Sequence, residues 1–248
     1  MGNYVIEVGN YVIVSPSQLG NYMSADTSAG FPRRLLSGDS AALASLIATV
    51  ERLQSRADGA RPSLGVVDQP YSAMLQASLV SGDRQGIVVH GRAGSGKSAI
   101  ASEAVTQLAA SGWYAAAVSM DRLNPGTRSA RALGQDNDLA ESPVILLDCV
   151  ADGSPAVLLV DQMDAVSQYS GRLPDAYEAV AELLEQARLA PGLRIVLVVR
   201  TVDVQEDPRL RALLSDTSRV SSLTVGELDT EAVRRVLLAG GVDVDHTG

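Results

Sequence analysis

One short segment of this chain, GRAGSGKS, contains the residues best suited to chemistry. It occupies residues 91–98 and fits the pattern G-x-x-x-x-G-K-[ST] at every fixed position. In that pattern successive backbone N–H groups curl around a phosphate at the start of a helix. We expect Lys97 to reach the β- and γ-phosphates of a nucleotide and Ser98 to offer its hydroxyl to Mg²⁺. The predicted nucleotide-binding residues are Gly91, Arg92, Ala93, Gly94, Ser95, Gly96, Lys97 and Ser98.

A phosphate-binding loop needs an acidic side chain, at the end of a neighbouring strand, to hold the water shell of Mg²⁺. Asp161 fits this role because it directly follows the apolar run VLLV, which is typical of a buried strand. With Ser98, it is the predicted metal ligand. Asp164 lies three residues later and either orients an attacking water or caps the next helix. Both carboxylates are candidate catalytic residues.

A third candidate catalytic residue, Arg200, ends the apolar run LRIVLVVR. A cation at the carboxyl edge of a parallel sheet lies near the ligand crevice. Arg200 therefore either senses the γ-phosphate or forms an ion pair with an acidic residue.

The elements that must position these residues alternate along the chain. Five segments have the composition of strands: GIVVH, WYAAAVSM, AVLLVD, LRIVLVVRT and VSSLTV. Helical patterns separate them, and PVILLDCVAD is a further helix candidate. An earlier helix is predicted in AALASLIATVERLQS, with Asp39 or Ser40 as its N-cap. The predicted fold class is α/β, a P-loop NTPase with a parallel sheet and helices on both faces.

Composition limits the setting and the partners. The 248 residues suit one sizeable domain with extensions. A single cysteine, Cys149, excludes an intrachain disulfide, and neither a bilayer-spanning stretch nor a secretory signal is present, which predicts a cytoplasmic location. The net charge of −9 argues against a nonspecific DNA-binding surface. Direct binding to nucleic acid or membrane is therefore not expected.

Four segments together resemble STAND-class NTPases of the NACHT or NLR-like type, which are signalling relatives of AAA+ ATPases: GRAGSGKS, LLVDQMDAVSQYSGR, VLVVRT and LTVGELDTEAVRRVLLAGG. The resemblance covers about residues 65–240. It implies that ADP holds a closed monomer and that exchange for ATP, with Mg²⁺, opens the chain into an oligomer, with slow hydrolysis.

By position, the resemblance implies that Gly94, Gly96, Lys97 and Ser98 bind phosphate and magnesium. Asp161 would be the magnesium partner and Arg200 the sensor-type arginine. Such proteins normally continue into a full helical lid, a winged helix and a repeat array. This sequence ends at Gly248, which predicts a fragment or a chain without the sensor.

The first 23 residues repeat the phrase Gly-Asn-Tyr at Gly2, Gly9 and Gly20. The first two copies are seven residues apart, an odd spacing that makes both faces of an extended strand apolar. Both faces of such a segment can be shielded from water in a structural strand or hairpin, or in a cross-β stack with Asn and Tyr ladders. We favour the stack because a polar linker follows residue 23. The predicted amyloid core is Val5, Ile6, Glu7, Val8, Gly9, Asn10, Tyr11, Val12, Ile13, Val14, Gln18, Leu19, Gly20, Asn21, Tyr22 and Met23.

Residues 6–11 and 18–23 resemble the RHIM-type amyloid core, with Glu7 in place of the usual Gln in the first copy. This resemblance implies self-assembly through residues 1–23 and an effector protein that carries a matching motif and executes cell death or defence. The disordered or cross-β-forming tail would precede an AAA+/STAND-like domain.

The hypothesis from sequence is an NLR-like signalling ATPase that acts as an oligomerisation switch. Its predicted parts are an amyloid motif at 1–23, a linker and helix at 24–64, the P-loop NTPase domain at 65–225 and the start of a helical lid at 226–248. Two alternatives stay open. One is an AAA+-like remodelling ATPase with a structural N-terminal strand, which stimulated turnover would favour. The other is a nucleotide-binding scaffold without hydrolysis, which an oligomer indifferent to Lys97 would favour.

Overall fold

The structure of the protein is a computed structural model that describes residues 5–8, 11–14, 33–35, 40–60, 70–81 and 84–226. These residues form two sheets. The N-terminal sheet contains β1 (Val5–Val8), β2 (Tyr11–Val14) and β3 (Arg33–Leu35). The larger sheet contains β4 (Gly86–Gly91), β5 (Tyr114–Ser119), β6 (Ala156–Asp161), β7 (Leu193–Arg200) and β8 (Val220–Val225).

In the described part of the chain, two helices precede the larger sheet and six connect its strands. They are α1 (Ser40–Ala60), α2 (Pro70–Ser81), α3 (Lys97–Ala110), α4 (Ala130–Asp136), α5 (Pro143–Ala151), α6 (Tyr177–Ala187), α7 (Thr201–Glu206) and α8 (Pro208–Ser215). Short 3₁₀ turns occupy Met120–Arg122, Met163–Val166 and Pro174–Ala176. The segment PVILLDCVAD forms a helix, as its pattern suggested. Pro143 is compatible with this helix because it lies in the first turn, where its missing N–H costs no hydrogen bond.

The larger sheet is parallel throughout, in the order β5-β6-β7-β4-β8. This confirms the predicted α/β class. The register pairs Gly91 with both Arg200 and Val225, and Ser119 with Asp161, so the carboxyl ends of all five strands meet at one edge. One part of the prediction is wrong: the strand of Asp161 is not next to β4, because β7 lies between them.

Both faces of the sheet are buried, which explains the continuous apolar runs. Alternate residues of each strand point to opposite faces. On one face Val88, Leu158 and Leu197 pack in a core shared with α5 and α6. On the other face Val89 and Leu159 pack in a core shared with α2 and α3. Burying each leucine or valine stabilises the fold by about 1.5–3 kcal/mol.

Helix α1 closes the β5 edge of the sheet. It packs against α3 and β5. The buried Thr49 hydroxyl accepts a hydrogen bond of 2.9 Å from the Ala117 N–H of β5 and donates to Leu46 O at 2.6 Å. The Asn137 side chain accepts from the Ser119 N–H at 2.9 Å. Side chains thus bond two N–H groups of this edge strand, which protects the edge from pairing with another chain.

In the N-terminal sheet β1 pairs antiparallel with β2, with Ile6 opposite Ile13 and Glu7 opposite Val12. Within this chain the segment is therefore the hairpin that sequence analysis kept as an alternative to the stack. Strand β3, inside the segment expected to be a linker, pairs parallel with β2. The second predicted copy of the amyloid motif, at 18–23, and the predicted lid, after residue 226, lie outside the described residues. No helix of the described segments is long and apolar enough to cross a bilayer.

Candidate functional site

The loop between β4 and α3 has the backbone that its glycines predict. Gly94 and Gly96 adopt left-handed φ angles of 78° and 84°, where a side chain would strain the backbone. A Cβ at Gly91 would lie 2.5 Å from the Val225 carbonyl oxygen and 2.8 Å from Ser95 Oγ. Gly96 is the N-cap residue of α3 and has no side chain of its own to compete for the first N–H groups of the helix. These groups can therefore receive an anion.

Lys97 begins α3 and is mostly buried, with 8% of its surface exposed. Its Nζ donates a hydrogen bond of 2.6 Å to the carbonyl oxygen of Arg92 within the loop. Burial lowers the pKa of Lys97; the charges of Asp164 and Asp161 oppose this and that of Arg200 adds to it. Three of the predicted site residues thus act electrostatically on the same ammonium group.

Ser98, in the first turn of α3, and Asp161, at the end of β6, meet directly, although β7 separates β6 from β4. The Ser98 hydroxyl donates to Asp161 Oδ1 at 2.9 Å, and the Gln162 N–H donates to the same oxygen at 2.9 Å. Asp161 is 2% exposed, and burial raises its pKa, an effect that these two hydrogen bonds partly offset. Both hydrogen-bond partners are neutral, so a bound cation would stabilise the ionised form of this buried carboxylate.

Arg200 forms ion pairs with acidic residues, which is one of the two roles predicted for it. Its Nε lies 2.7 Å from Asp203 Oδ2 and 3.4 Å from Asp164 Oδ2. Its Nη2 donates to the Ser170 hydroxyl, which in turn donates to Asp203 Oδ1. The structure therefore places Asp164 beside Arg200. Asp164 lies inside a 3₁₀ turn whose N-cap residue is Gln162, so Asp164 is not the cap of that turn.

Sequence reasoning missed Asp203 and Ser170. Asp203 lies three residues after Arg200 in a helix, a spacing at which opposite charges meet, so this pair could have been found. Ser170 carries no comparable signal, because it reaches Arg200 from a loop 30 residues away.

A second network joins α1 to the strand of Asp161. Arg56 Nη2 lies 2.6 Å from Asp121 Oδ2, and its hydrogen bond lowers the pKa of Asp121. With its amide nitrogen turned toward Asp121, Gln162 donates to Asp121 Oδ2 at 2.9 Å. Gln162 has a left-handed φ of 59°, which is costly for a residue other than glycine. The Arg56 charge also acts on Asp161 and lowers its pKa.

His90 precedes the loop and is held on both sides. Its Nδ1 lies 3.2 Å from Thr201 Oγ1, and its Nε2 lies 3.2 Å from Thr224 Oγ1. Burial lowers the pKa of His90, and the charge of Lys97 lowers it further. These contacts to two threonine hydroxyls give His90 a structural role at the end of β4. Cys149 is buried in the core.

The residues present fit a nucleotide with Mg²⁺. Ser95 Oγ is buried in the loop and has no hydrogen-bond partner among the described residues. Ser98 and Asp161 supply one hydroxyl and one carboxylate. No group of three or more His, Cys, Asp or Glu side chains suited to a metal occurs in the described part of the chain. Mg²⁺ commonly takes one or two protein ligands and completes its shell with phosphates and water, so Ser98 and Asp161 could serve as its protein ligands.

Comparison with known proteins identifies the fold but no family. No protein-family model matches the chain, and no curated protein matches it. A Walker-type ATPase of Pyrococcus abyssi has a similar structure, with a TM-score of 0.51, 15% identity, and coverage of 75% of this chain and 63% of that one.

Two further structures resemble the chain at lower scores. AMPPCP-bound DnaA from Aquifex aeolicus has a TM-score of 0.46 and 15% identity, over 69% of this chain and 48% of that chain. A DNA replication initiation factor has a TM-score of 0.49 and 14% identity, over 69% of this chain and 51% of that chain. The chain thus spans from about half to under two-thirds of the length of these structures. The parallel sheet, the loop at its carboxyl edge and the similarity to the Pyrococcus abyssi enzyme together establish the fold of a P-loop ATPase.

Proposed function

We propose that this chain binds ATP or ADP with Mg²⁺ in the loop at 91–98 and uses the nucleotide as a switch. The contact between Ser98 and Asp161 is the observation that carries the proposal. It joins the hydroxyl that closes the phosphate loop to a buried, ionisable carboxylate at the end of β6. Packing alone gives no reason to bury a carboxylate against two neutral partners, because the charge loses its hydration.

Each residue of the site has a task that follows from its position. The N–H groups of the loop and of the first turn of α3 bind the phosphates. Lys97 leaves the Arg92 carbonyl to neutralise the terminal phosphates, and its partial burial strengthens that attraction. Ser98 and Asp161 hold Mg²⁺, which when bound supplies charge neutralisation and fixes the phosphate geometry. Slow hydrolysis, with Asp164 orienting water, is part of the same proposal.

The test is a calorimetric titration of the full chain with ATP in Mg²⁺ and in EDTA. For Ser98→Ala we expect the added affinity due to Mg²⁺ to fall about tenfold, since one ligand of the ion is lost. Ser102→Ala is the matched control, because Ser102 is a buried serine one turn further along α3. A Ser98→Ala chain that responds to Mg²⁺ like the wild type would overturn the proposal.

We further propose that residues 1–23 are the output of a cytoplasmic signalling switch of the NLR-like type. In this proposal nucleotide exchange drives oligomerisation, and the clustered N-terminal segments template the amyloid assembly of an effector with a matching motif. Strand β1 supports it, because β1 is an edge of the N-terminal sheet and can pair with another chain. The repeated Asn and Tyr residues favour ladders in a stack.

The output is tested with a peptide of residues 1–23, by fibre diffraction and by seeding of the full chain. Copies of Glu7 would stack about 5 Å apart, so Glu7→Gln should speed fibril growth at neutral pH. Val12→Pro should prevent it, because proline removes a hydrogen-bond donor from the ladder. A peptide that stays soluble at high concentration, or fibrils indifferent to proline, would refute the output while leaving nucleotide binding intact.

A further inference from the structure

The guanidinium of Arg200 is fixed by a carboxylate that no solvent reaches. Asp203 is fully buried, and both of its oxygens are engaged, Oδ2 by Arg200 Nε at 2.7 Å and Oδ1 by the Ser170 hydroxyl. Ser170 also accepts from Arg200 Nη2, so arginine, serine and aspartate form a closed ring of hydrogen bonds. A buried carboxylate that lost its cation would be left uncompensated, and this cost holds Arg200 in place.

The ring leaves part of the guanidinium for another ligand. Arg200 carries five N–H donors, and the bonds to Asp203 and Ser170 use two of them. The Arg200 side chain is about one-third exposed. A planar fork held at one end presents its other end in a fixed direction, which suits an oxygen-rich anion such as a phosphate.

The position of the ring places that fork on the side of the terminal phosphates. Arg200 pairs in register with Gly91, the first residue of the phosphate loop. Its charge acts on Lys97, the residue expected to contact the β- and γ-phosphates. ATP in this loop would therefore approach Arg200 with its γ-phosphate, which ADP lacks.

We propose that Asp203, assisted by Ser170, is a positioning residue that fixes Arg200 for the terminal phosphate and so sets the preference for ATP over ADP. This inference rests on the proposed nucleotide function. It assigns the discrimination to a buried carboxylate that touches neither nucleotide nor metal.

The chain contains a matched control for this role. Asp207 is also fully buried and also paired with an arginine, Arg209, at 3.0 Å. It accepts a hydrogen bond of 2.6 Å from the Gln168 N–H, so it anchors the same loop that carries Ser170. The Arg209 guanidinium, however, stacks over the Tyr177 ring at 4.4 Å and pairs with Asp207 rather than with Asp203. Asp207 therefore shares the burial and loop contacts of Asp203 without the contact to Arg200.

The experiment titrates the full chain with ATP and with ADP, both in Mg²⁺, and compares the ratio of the two affinities. Asp203→Asn keeps the shape and removes the charge that orients Arg200. We expect the ratio to fall about tenfold through weaker ATP binding, with ADP binding unchanged. Arg200→Met should lower the ratio by a similar factor, and the double variant should show no further loss, because both changes remove one interaction. Asp207→Asn should leave the ratio unchanged.

The outcomes separate the inference from the function on which it rests. An Asp203→Asn chain that binds both nucleotides with the wild-type ratio overturns the inference and leaves the proposed function standing. An equal fall in Asp207→Asn also overturns it, because the effect would then come from anchoring the loop. A wild-type chain that binds neither nucleotide overturns both. If Asp203→Asn does not fold, Ser170→Ala decides, since Ser170 is exposed: the ratio should fall about threefold, and an unchanged ratio overturns the inference.

Discussion

Replacing Asp161 by asparagine should stabilise the fold while weakening magnesium-dependent nucleotide binding. Asparagine has the same shape, and its Oδ1 can still accept from Ser98 and Gln162, as the carboxylate does now at 2.9 Å in both cases. The substitution removes a buried negative charge whose two hydrogen-bond partners are both neutral. The same charge is the one that Mg²⁺ requires.

The direction of the stability change follows from the pKa of Asp161. Burial raises this pKa above its ordinary value of 3.8, so the folded chain binds the proton more tightly than the unfolded chain does. The free energy of unfolding therefore falls as the pH rises from 3.8 through the raised pKa, and the ionised carboxylate lowers stability at neutral pH. Removing an unfavourable group of this kind typically adds about 0.5–2 kcal/mol. At about 2–4 °C per kcal/mol, Tm should rise by about 1–8 °C.

The assay combines thermal unfolding in EDTA with a calorimetric titration of ATP in Mg²⁺. Asp148→Asn is the control, because burial also raises the pKa of Asp148. Asp148 lies on α5, which leads into the amino end of β6, at the edge of the sheet opposite the phosphate loop. Asp148→Asn should raise Tm without changing nucleotide affinity. If Asp161→Asn lowers the free energy of unfolding by more than about 1 kcal/mol, the carboxylate is part of the structural framework and our reasoning is wrong. Unchanged Mg²⁺-dependent affinity would equally refute it.

Two further predictions concern the framework around the site. Thr49→Val should lower the free energy of unfolding by about 1–3 kcal/mol in urea titrations, because the Ala117 N–H loses its acceptor. The control Thr106→Val removes a hydroxyl bonded only within its own helix and should lower the free energy of unfolding by less. Equal losses in the two variants would contradict the edge-closing role of α1. Gly91→Ala should cost about 1–3 kcal/mol and weaken ATP binding, because its Cβ would collide with a β8 carbonyl, whereas Gly126→Ala, with open space around its Cβ, should be neutral in both assays; a neutral Gly91→Ala would show that the loop can shift.

The features that could be predicted from sequence are those encoded by neighbouring residues. The phosphate loop is one contiguous segment between a strand and a helix, so its pattern contains both the ligands and the backbone that presents them. Asp161 could be identified because it directly follows a run of apolar residues that must be buried. The helices and strands were likewise predictable, since each depends on the spacing of its own apolar residues.

The features that could not be predicted depend on which loops meet at the sheet edge. A parallel sheet is compatible with several strand orders, so the insertion of β7 between the strands of Gly91 and Asp161 was not foreseen. The pairing of Arg56 with Asp121 joins residues 65 positions apart, and many other carboxylates could have been the partner. The closure of the β5 edge by Thr49 is of the same kind, because its hydroxyl could equally have bonded only within its own helix.

The most direct test of the central claim is a calorimetric titration of the full chain with ATP and Mg²⁺, comparing the wild type with Lys97→Met. Methionine keeps the apolar stem of this largely buried side chain and removes only the ammonium group, so the fold should persist, with an unchanged or higher Tm. Loss of a partly buried charge facing phosphates costs about 2–5 kcal/mol, so we predict that ATP affinity falls at least about 30-fold. Saturable binding by the wild type that is lost in the folded variant would establish 91–98 as the nucleotide site. Equal affinity in the two chains, or no binding by the wild type, would contradict it.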